Sequence, residues 1–163
     1  MTNKPVILGG TPIIEGIPEE LFHWPIVTKE DEDAVLDVLR RGAMSGTDVT
    51  RQFEDEFKKW QGREYAVGAN NGTAAVLGAL WACGVGAGDE VIGPSLTYWA
   101  SMLPVYQLGA TPVFADVDPE TLCISPSDIE RRITGRTKVI MVVQYLGHPA
   151  EMDAIMEIAE RRG

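Results

Sequence analysis

From Arg63 onward the sequence switches repeatedly between two periodicities, and this switching constrains the fold more than any other feature. Strand-like apolar runs at 64–68, 89–93, 111–115 and 138–144 are separated by helix-like runs at 72–83, 97–108, 126–133 and 150–162. Strands separated by helices cannot pair as hairpins. They lie parallel, and each connection crosses a face of the sheet. The run Val139-Ile140-Met141-Val142-Val143 has no polar alternation, as expected of a strand covered on both sides. The pattern predicts an α/β three-layer sandwich with a mostly parallel sheet. A sheet of this kind should return to another strand after Arg161-Arg162-Gly163. The grammar is therefore that of the first part of a longer domain, incomplete at its C-terminus.

The region before Arg63 reads differently. Residues 1–27 are rich in turn formers and predict an extended arm, with His23-Trp24-Pro25 as a packing anchor. Thr28 is an N-cap for a helix reaching about Arg41. Acidic residues Glu30, Asp31, Glu32 and Asp33 open it, Arg40 and Arg41 close it, and Val35, Leu36 and Leu39 form its buried stripe. A small-residue loop, Ala43 to Thr47, leads to a second helix from about Val49 to Trp60. Phe53, Phe57 and Trp60 share one face of it, a stripe suited to a core or a subunit interface. Two parts follow from this reading: residues 1–62, an arm and two helices, and residues 63–163, the α/β part.

Charge and cysteine content exclude several function classes. The 24 acidic residues outnumber the 14 basic ones, and the latter are scattered, which argues against a grip on nucleic acid or an anionic membrane. No apolar run approaches a membrane span, and the start Met-Thr-Asn-Lys-Pro-Val-Ile lacks a secretory apolar region; a cytoplasmic location is expected. Cys83 and Cys123 lack metal or redox spacing and are expected to be reduced, buried thiols. No metal site is expected. His148 has no partner at ligand spacing, and the loop starting at Asp116 has Thr121 and Ser127 where a calcium loop needs glycine and glutamate. Gly84-Val85-Gly86-Ala87-Gly88 precedes a strand instead of following one, so it is not a dinucleotide fingerprint.

Two corners can carry chemistry. Asn70-Asn71-Gly72-Thr73 opens a helix that is apolar on nearly every side. Asn71 and Thr73 are natural caps, and Gly72 permits close approach of the backbone. Such a helix start suits a phosphate, although an Asn-Gly pair is also an ordinary turn. Gly93-Pro94-Ser95-Leu96-Thr97-Tyr98-Trp99 follows the next strand and opens the next helix. Its rings can cover a flat heterocycle, or serve only to pack the helix start. In a parallel sheet both corners lie on the carboxyl-end rim, where open α/β sheets bind ligands. Together they suit a phosphorylated planar cofactor.

These motifs resemble the first half of the large domain of DegT/StrS-type, pyridoxal-phosphate-dependent sugar aminotransferases, of the fold-type I architecture. The resemblance runs through Ser45-Gly46, Phe53-Glu54, Asn71-Gly72-Thr73-Ala74-Ala75, Gly88-Asp89-Glu90-Val91-Ile92 and Pro94-Ser95-Leu96-Thr97-Tyr98. It continues from Gly109 to Asp118, from Ile133 to Ile140, and through Gly147-His148-Pro149 with Met152-Asp153. It implies that Gly72 and Thr73 hold the phosphate of pyridoxal 5'-phosphate, with Asn71 assisting. It places Tyr98 on the pyridine ring, with Trp99 as second choice. Gln144 departs from the family's histidine after Val143. The resemblance implies transfer of an amino group from a donor such as L-glutamate to a nucleotide-linked keto-sugar, in a homodimer. The Schiff-base lysine and the carboxylate facing the pyridine nitrogen are expected beyond Gly163. Lys4, Lys29, Lys58, Lys59 and Lys138 are poor substitutes for that lysine. Two alternatives remain: a sugar dehydratase of the same family, which replaces the lysine by histidine, and a non-catalytic α/β ligand-binding domain.

Overall fold

Three strands, β1 (Glu90–Pro94), β2 (Thr111–Ala115) and β3 (Thr137–Ile140), form a parallel sheet in the order β2-β1-β3. The computed structural model describes residues 4–14, 16 and 18–162. Six α-helices occur among them: α1 (Lys29–Arg40), α2 (Asp48–Gln61), α3 (Gly72–Ala82), α4 (Leu103–Gln107), α5 (Pro126–Arg132) and α6 (Met152–Arg162). Contacts divide the chain into two compact units, Met1–Phe53 and Glu54–Gly163.

In the second unit β1 is the middle strand and every residue of it is buried. It pairs from Glu90↔Thr111 to Pro94↔Ala115 on one side, and through Val91↔Val139 and Ile92↔Ile140 on the other. Successive side chains of a strand point to opposite faces, and here each face meets its own core. Val91 packs with Leu80, Val85, Met102, Val105 and Ala110, under α3 and α4. Ile92 packs with Ala115, Cys123, Ile124, Ile129, Ala150, Ile155 and Ile158, under α5 and α6. The alternation continues through β3 and the two residues after it, where Val139 and Met141 join the first core and Ile140 and Val142 the second. The expected three-layer α/β arrangement is therefore present.

Two buried carboxylates tie this sheet to its connections. Glu90, at the head of β1, accepts from Thr134 Oγ1 at 2.5 Å and from the Arg136 guanidinium in the loop before β3. Asp128, in the first turn of α5, accepts from the Asp116 amide at 2.7 Å, just past the end of β2. Its oxygens also accept from Arg131 Nη2 and Arg132 Nε, both at 2.6 Å. A buried charge is tolerated only when it is paired and hydrogen-bonded, and both are.

Several expectations are corrected. The run at 64–68 forms no strand, with only Ala66 partly shielded, because no described strand lies beside it; the Gly68 amide donates instead to the Glu54 carboxylate at 2.6 Å. The run at 97–108 is two pieces, a 3₁₀ turn at Trp99–Ser101 and the short α4. Pro104 cannot donate to a preceding carbonyl and its ring collides with the turn before it, which breaks the helix. The strand expected at 138–144 ends at Ile140. Helix α3, apolar all round, buries only Leu80. Cys83 is exposed while Cys123 is buried.

In the first unit Thr28 caps α1, accepting from the Asp31 amide, while the Asp31 carboxylate accepts from the Thr28 amide at 2.8 Å. That reciprocal pair is a capping box. The stripe Val35, Leu36 and Leu39 is exposed, as is Trp24, so neither stripe nor anchor is buried there. Nothing described between residues 4 and 53 is buried. Phe53, Phe57 and Trp60 along α2 are also exposed.

The Asp116 amide and the two guanidinium groups hold the Asp128 carboxyl down at about 2, from an ordinary 3.8. A depressed carboxyl stabilises the fold above its unfolded value and loses that contribution as pH falls through its folded one. Asp128→Ala also strands the Asp116 amide, at a cost of about 1–3 kcal/mol. Urea unfolding should show that loss at pH 7, and a smaller difference between variant and parent near pH 2.

Candidate functional site

Helix α3 begins where the backbone leaves an extended conformation at Asn71 (φ −168°, ψ 169°). The Asn71 side chain caps it, its Oδ1 accepting from the Ala74 amide at 2.9 Å, and the Asn71 carbonyl accepts the first helical bond from Ala75. That leaves the amides of Gly72 and Thr73, for which no acceptor occurs among the described residues. A Cβ built on Gly72 would meet nothing within 4 Å, so the approach to these donors is open.

The charge pattern sharpens this feature. Helix α1 fills its first turn with Glu30, Asp31 and Glu32, which answer its own dipole. Helix α3 has no acidic residue in its first turn. Its positive end is left unanswered by the protein, and an anion placed there meets two amides and half a positive charge. A phosphate group therefore fits the residues present.

The second corner leaves β1 at Pro94. The Ser95 amide donates to the Ala115 carbonyl at 2.8 Å, which carries the pairing with β2 one residue further. The chain then bends through Ser95 to Thr97 and enters the 3₁₀ turn at Trp99, preceded by Tyr98. The turn is closed by the Ser101 amide donating to the Tyr98 carbonyl at 2.9 Å, and by a hydroxyl pair, Thr97 Oγ1 and Ser101 Oγ, 2.8 Å apart. The Tyr98 and Trp99 rings meet edge to face, centroids 5.8 Å apart and planes at 62°. Both are well exposed, Tyr98 at 69% and Trp99 at 62%. Tyr98 therefore precedes a 3₁₀ turn and does not open an α-helix as the sequence suggested.

Helix α3 packs against that turn and against α4, so the elements bearing the two corners are neighbours. Two lysines of the second unit are placed by their contacts: Lys58 pairs with Asp55, and the Lys138 ammonium lies beside Gly84, past the C-terminal end of α3. Among the described residues there is no cluster of metal-ligating side chains, and no helix is long and apolar enough to cross a membrane.

Sequence reasoning passed over the Thr97–Ser101 clasp, although two hydroxyls four residues apart around an aromatic pair are a readable signal. It also left Gln144 without a role. Gln144 Oε1 accepts from the Ala150 amide, bracketing the turn Tyr145–Gly147 that precedes α6. Leu146 in that turn has φ 51° and is almost fully exposed.

A parallel α/β sandwich belongs to the broad class of open sheets that bind ligands at the carboxyl ends of their strands, and the open helix start and the aromatic turn lie on neighbouring elements here. Residues 25–163 match the DegT/DnrJ/EryC1/StrS aminotransferase family, and the chain belongs to it. Among similar proteins, the L-glutamine:2-deoxy-scyllo-inosose aminotransferase of Streptomyces fradiae is 45% identical, over 86% of this chain and 35% of its own length. The spore coat polysaccharide biosynthesis protein SpsC of Bacillus subtilis is 41% identical over 87% of this chain and 36% of its own. Among solved structures, 3-amino-5-hydroxybenzoic acid synthase superposes with a TM-score of 0.81 at 37% identity, over 86% of this chain and 37% of that one. The pyridoxal-phosphate form of a sugar aminotransferase from Streptococcus pneumoniae gives 0.81 at 33% identity, over 85% and 35%. The chain thus spans little more than a third of the length of these relatives.

Removing the Asn71 side chain deprives α3 of its cap. Asn71→Ala should lower stability by about 0.5–2 kcal/mol in urea unfolding, and Asn71→Asp or Asn71→Ser should retain most of it.

Proposed function

We propose that this chain is the phosphate-binding part of a pyridoxal-phosphate-dependent aminotransferase. In this reading the whole protein moves an amino group from an amino-acid donor, L-glutamate or its amide, to a keto-sugar or a related keto-cyclitol. The observation that carries the reading is the start of α3. Two unclaimed amides there face open space, with no carboxylate in the first turn, in a chain of a family whose solved members include a pyridoxal-phosphate form.

In this reading the Gly72 and Thr73 amides donate to the phosphate and the Thr73 hydroxyl adds a further donor. Asn71 keeps the helix start in place through its own cap. Tyr98, carried on a turn clamped by Thr97 and Ser101, lies against the ring and excludes water from one side of it. The cofactor, when bound, supplies an electron sink for charge that develops on the carbon losing its proton. The lysine that anchors it and shuttles the proton lies outside residues 1–163 in this proposal, as does the carboxylate facing the pyridine nitrogen. The donor, any nucleotide on the sugar, a homodimeric assembly and a cytoplasmic setting are parts of the same proposal. A dehydratase with histidine in place of lysine would use this half unchanged.

Two measurements test it. In the intact protein carrying this chain, Thr73→Ala and Tyr98→Ala should each weaken pyridoxal-phosphate retention about 5- to 30-fold, since each removes one non-covalent hold of about 1–2 kcal/mol. Equilibrium titration of the apoprotein reads this directly, and unchanged affinity in both variants removes the residues from the site. Residues 1–163 alone should show no sustained turnover of glutamate with a keto-sugar, and steady product formation by that polypeptide would sink the assignment of the lysine.

A further inference from the structure

We propose that Trp99 is a positioning residue: its ring edge sets the angle at which Tyr98 covers the cofactor. The inference rests on the reading above, in which Tyr98 lies on the pyridine ring.

Three observations support it. First, Tyr98 has no other ring within contact among the described aromatic pairs, and its one ring partner is Trp99, edge on at 5.8 Å. An edge-to-face pair has a preferred geometry, because the positive rim of one ring seeks the negative face of the other. An exposed tyrosine with such a neighbour loses rotamers it would otherwise sample. Second, Trp99 is held through its backbone. It lines a recess of about 250 Å³ with Met102, Leu103, Tyr106 and Phe114, and the Met102 amide donates to its carbonyl at 3.2 Å. Third, that recess is seated on the sheet. Met102 is buried and lies so close to Gly93 of β1 that a Cβ there would fall 2.3 Å from its sulfur. The turn that carries both rings is therefore anchored to the central strand, through Met102 beside Gly93 and the Met102 amide on the Trp99 carbonyl. The hydroxyl clasp of Thr97 and Ser101 fixes the backbone of the same turn, so the remaining freedom of Tyr98 is in its side chain, where Trp99 acts.

The test uses the apoprotein of the intact enzyme, titrated with pyridoxal phosphate, and the visible circular dichroism of the bound cofactor. An edge-to-face pair contributes about 0.5–1.5 kcal/mol, so Trp99→Ala should weaken binding about 2- to 12-fold. It should also change the cofactor's visible dichroism, which reports ring orientation and which a merely structural loss would not move. Trp99→Phe, which keeps an aromatic edge, should restore affinity to within about twofold and recover the dichroism. Trp99→Leu keeps bulk in the recess without a ring edge, and should behave like Trp99→Ala. Parental affinity and dichroism in Trp99→Leu overturn the inference even if Trp99→Ala fails to fold. If Tyr98→Ala weakens binding while Trp99→Leu does not, the inference alone fails. If Tyr98→Ala leaves binding unchanged, the covering role of Tyr98 fails and the inference falls with it.

Discussion

Everything in the second unit depends on β1 being buried along its whole length and on both faces. A strand so placed must send Val91 to one core and Ile92 to the other, so the helices of both layers have a surface to cover. Burying each of these side chains contributes about 1.5–3 kcal/mol, and burial on both faces leaves β1 no solvent-facing position to relieve a misfit. The head of the strand is fixed by Glu90 with Thr134 and Arg136, and its far end by the Ser95 amide on Ala115. The position of the aromatic turn follows, since it is the first thing the chain does after leaving β1.

The contrast between α1 and α3 connects fold to chemistry. Both are capped helices with an orthodox start, Thr28 in one and Asn71 in the other. In α1 three carboxylates stand in the first turn and answer the dipole from within, and one of them, Asp31, accepts from the Thr28 amide. In α3 they are absent, and glycine occupies the first helical position. A helix end left in that condition is less stable on its own than α1 is. The deficit is tolerable if something anionic is supplied from outside, which is the sense in which a binding site is an incomplete structure.

The apolar surface of the chain belongs to the same account. Val67, Trp81, Trp60 and Phe57 are exposed, and α3 buries a single residue despite being apolar on every side. The chain spans little more than a third of the length of the relatives it matches. Burial in this chain is concentrated around β1 and fades toward α3 and the edge of β3, where only one side has its packing partner.

The sequence by itself determined the alternation of strands and helices, the parallel sheet with two covered faces, the Thr28 capping box and the glycine-led start of α3. Each of these follows from local rules: period, capping chemistry and the lack of a side chain. It also held a readable warning in Pro104, which divides what looked like one helix after Tyr98. Only the tertiary structure decided that 64–68 forms no strand, that the α1 stripe and Cys83 face outward, and that Glu90 and Asp128 are buried ion-pair centres. These depend on which distant segment arrives to supply a hydrogen bond or cover an apolar face, as Arg136 does for Glu90 across 46 residues. The edge-to-face meeting of Tyr98 and Trp99 is of the same kind, because two adjacent aromatic letters do not say which way either ring turns until Met102 and Gly93 have set the turn beneath them.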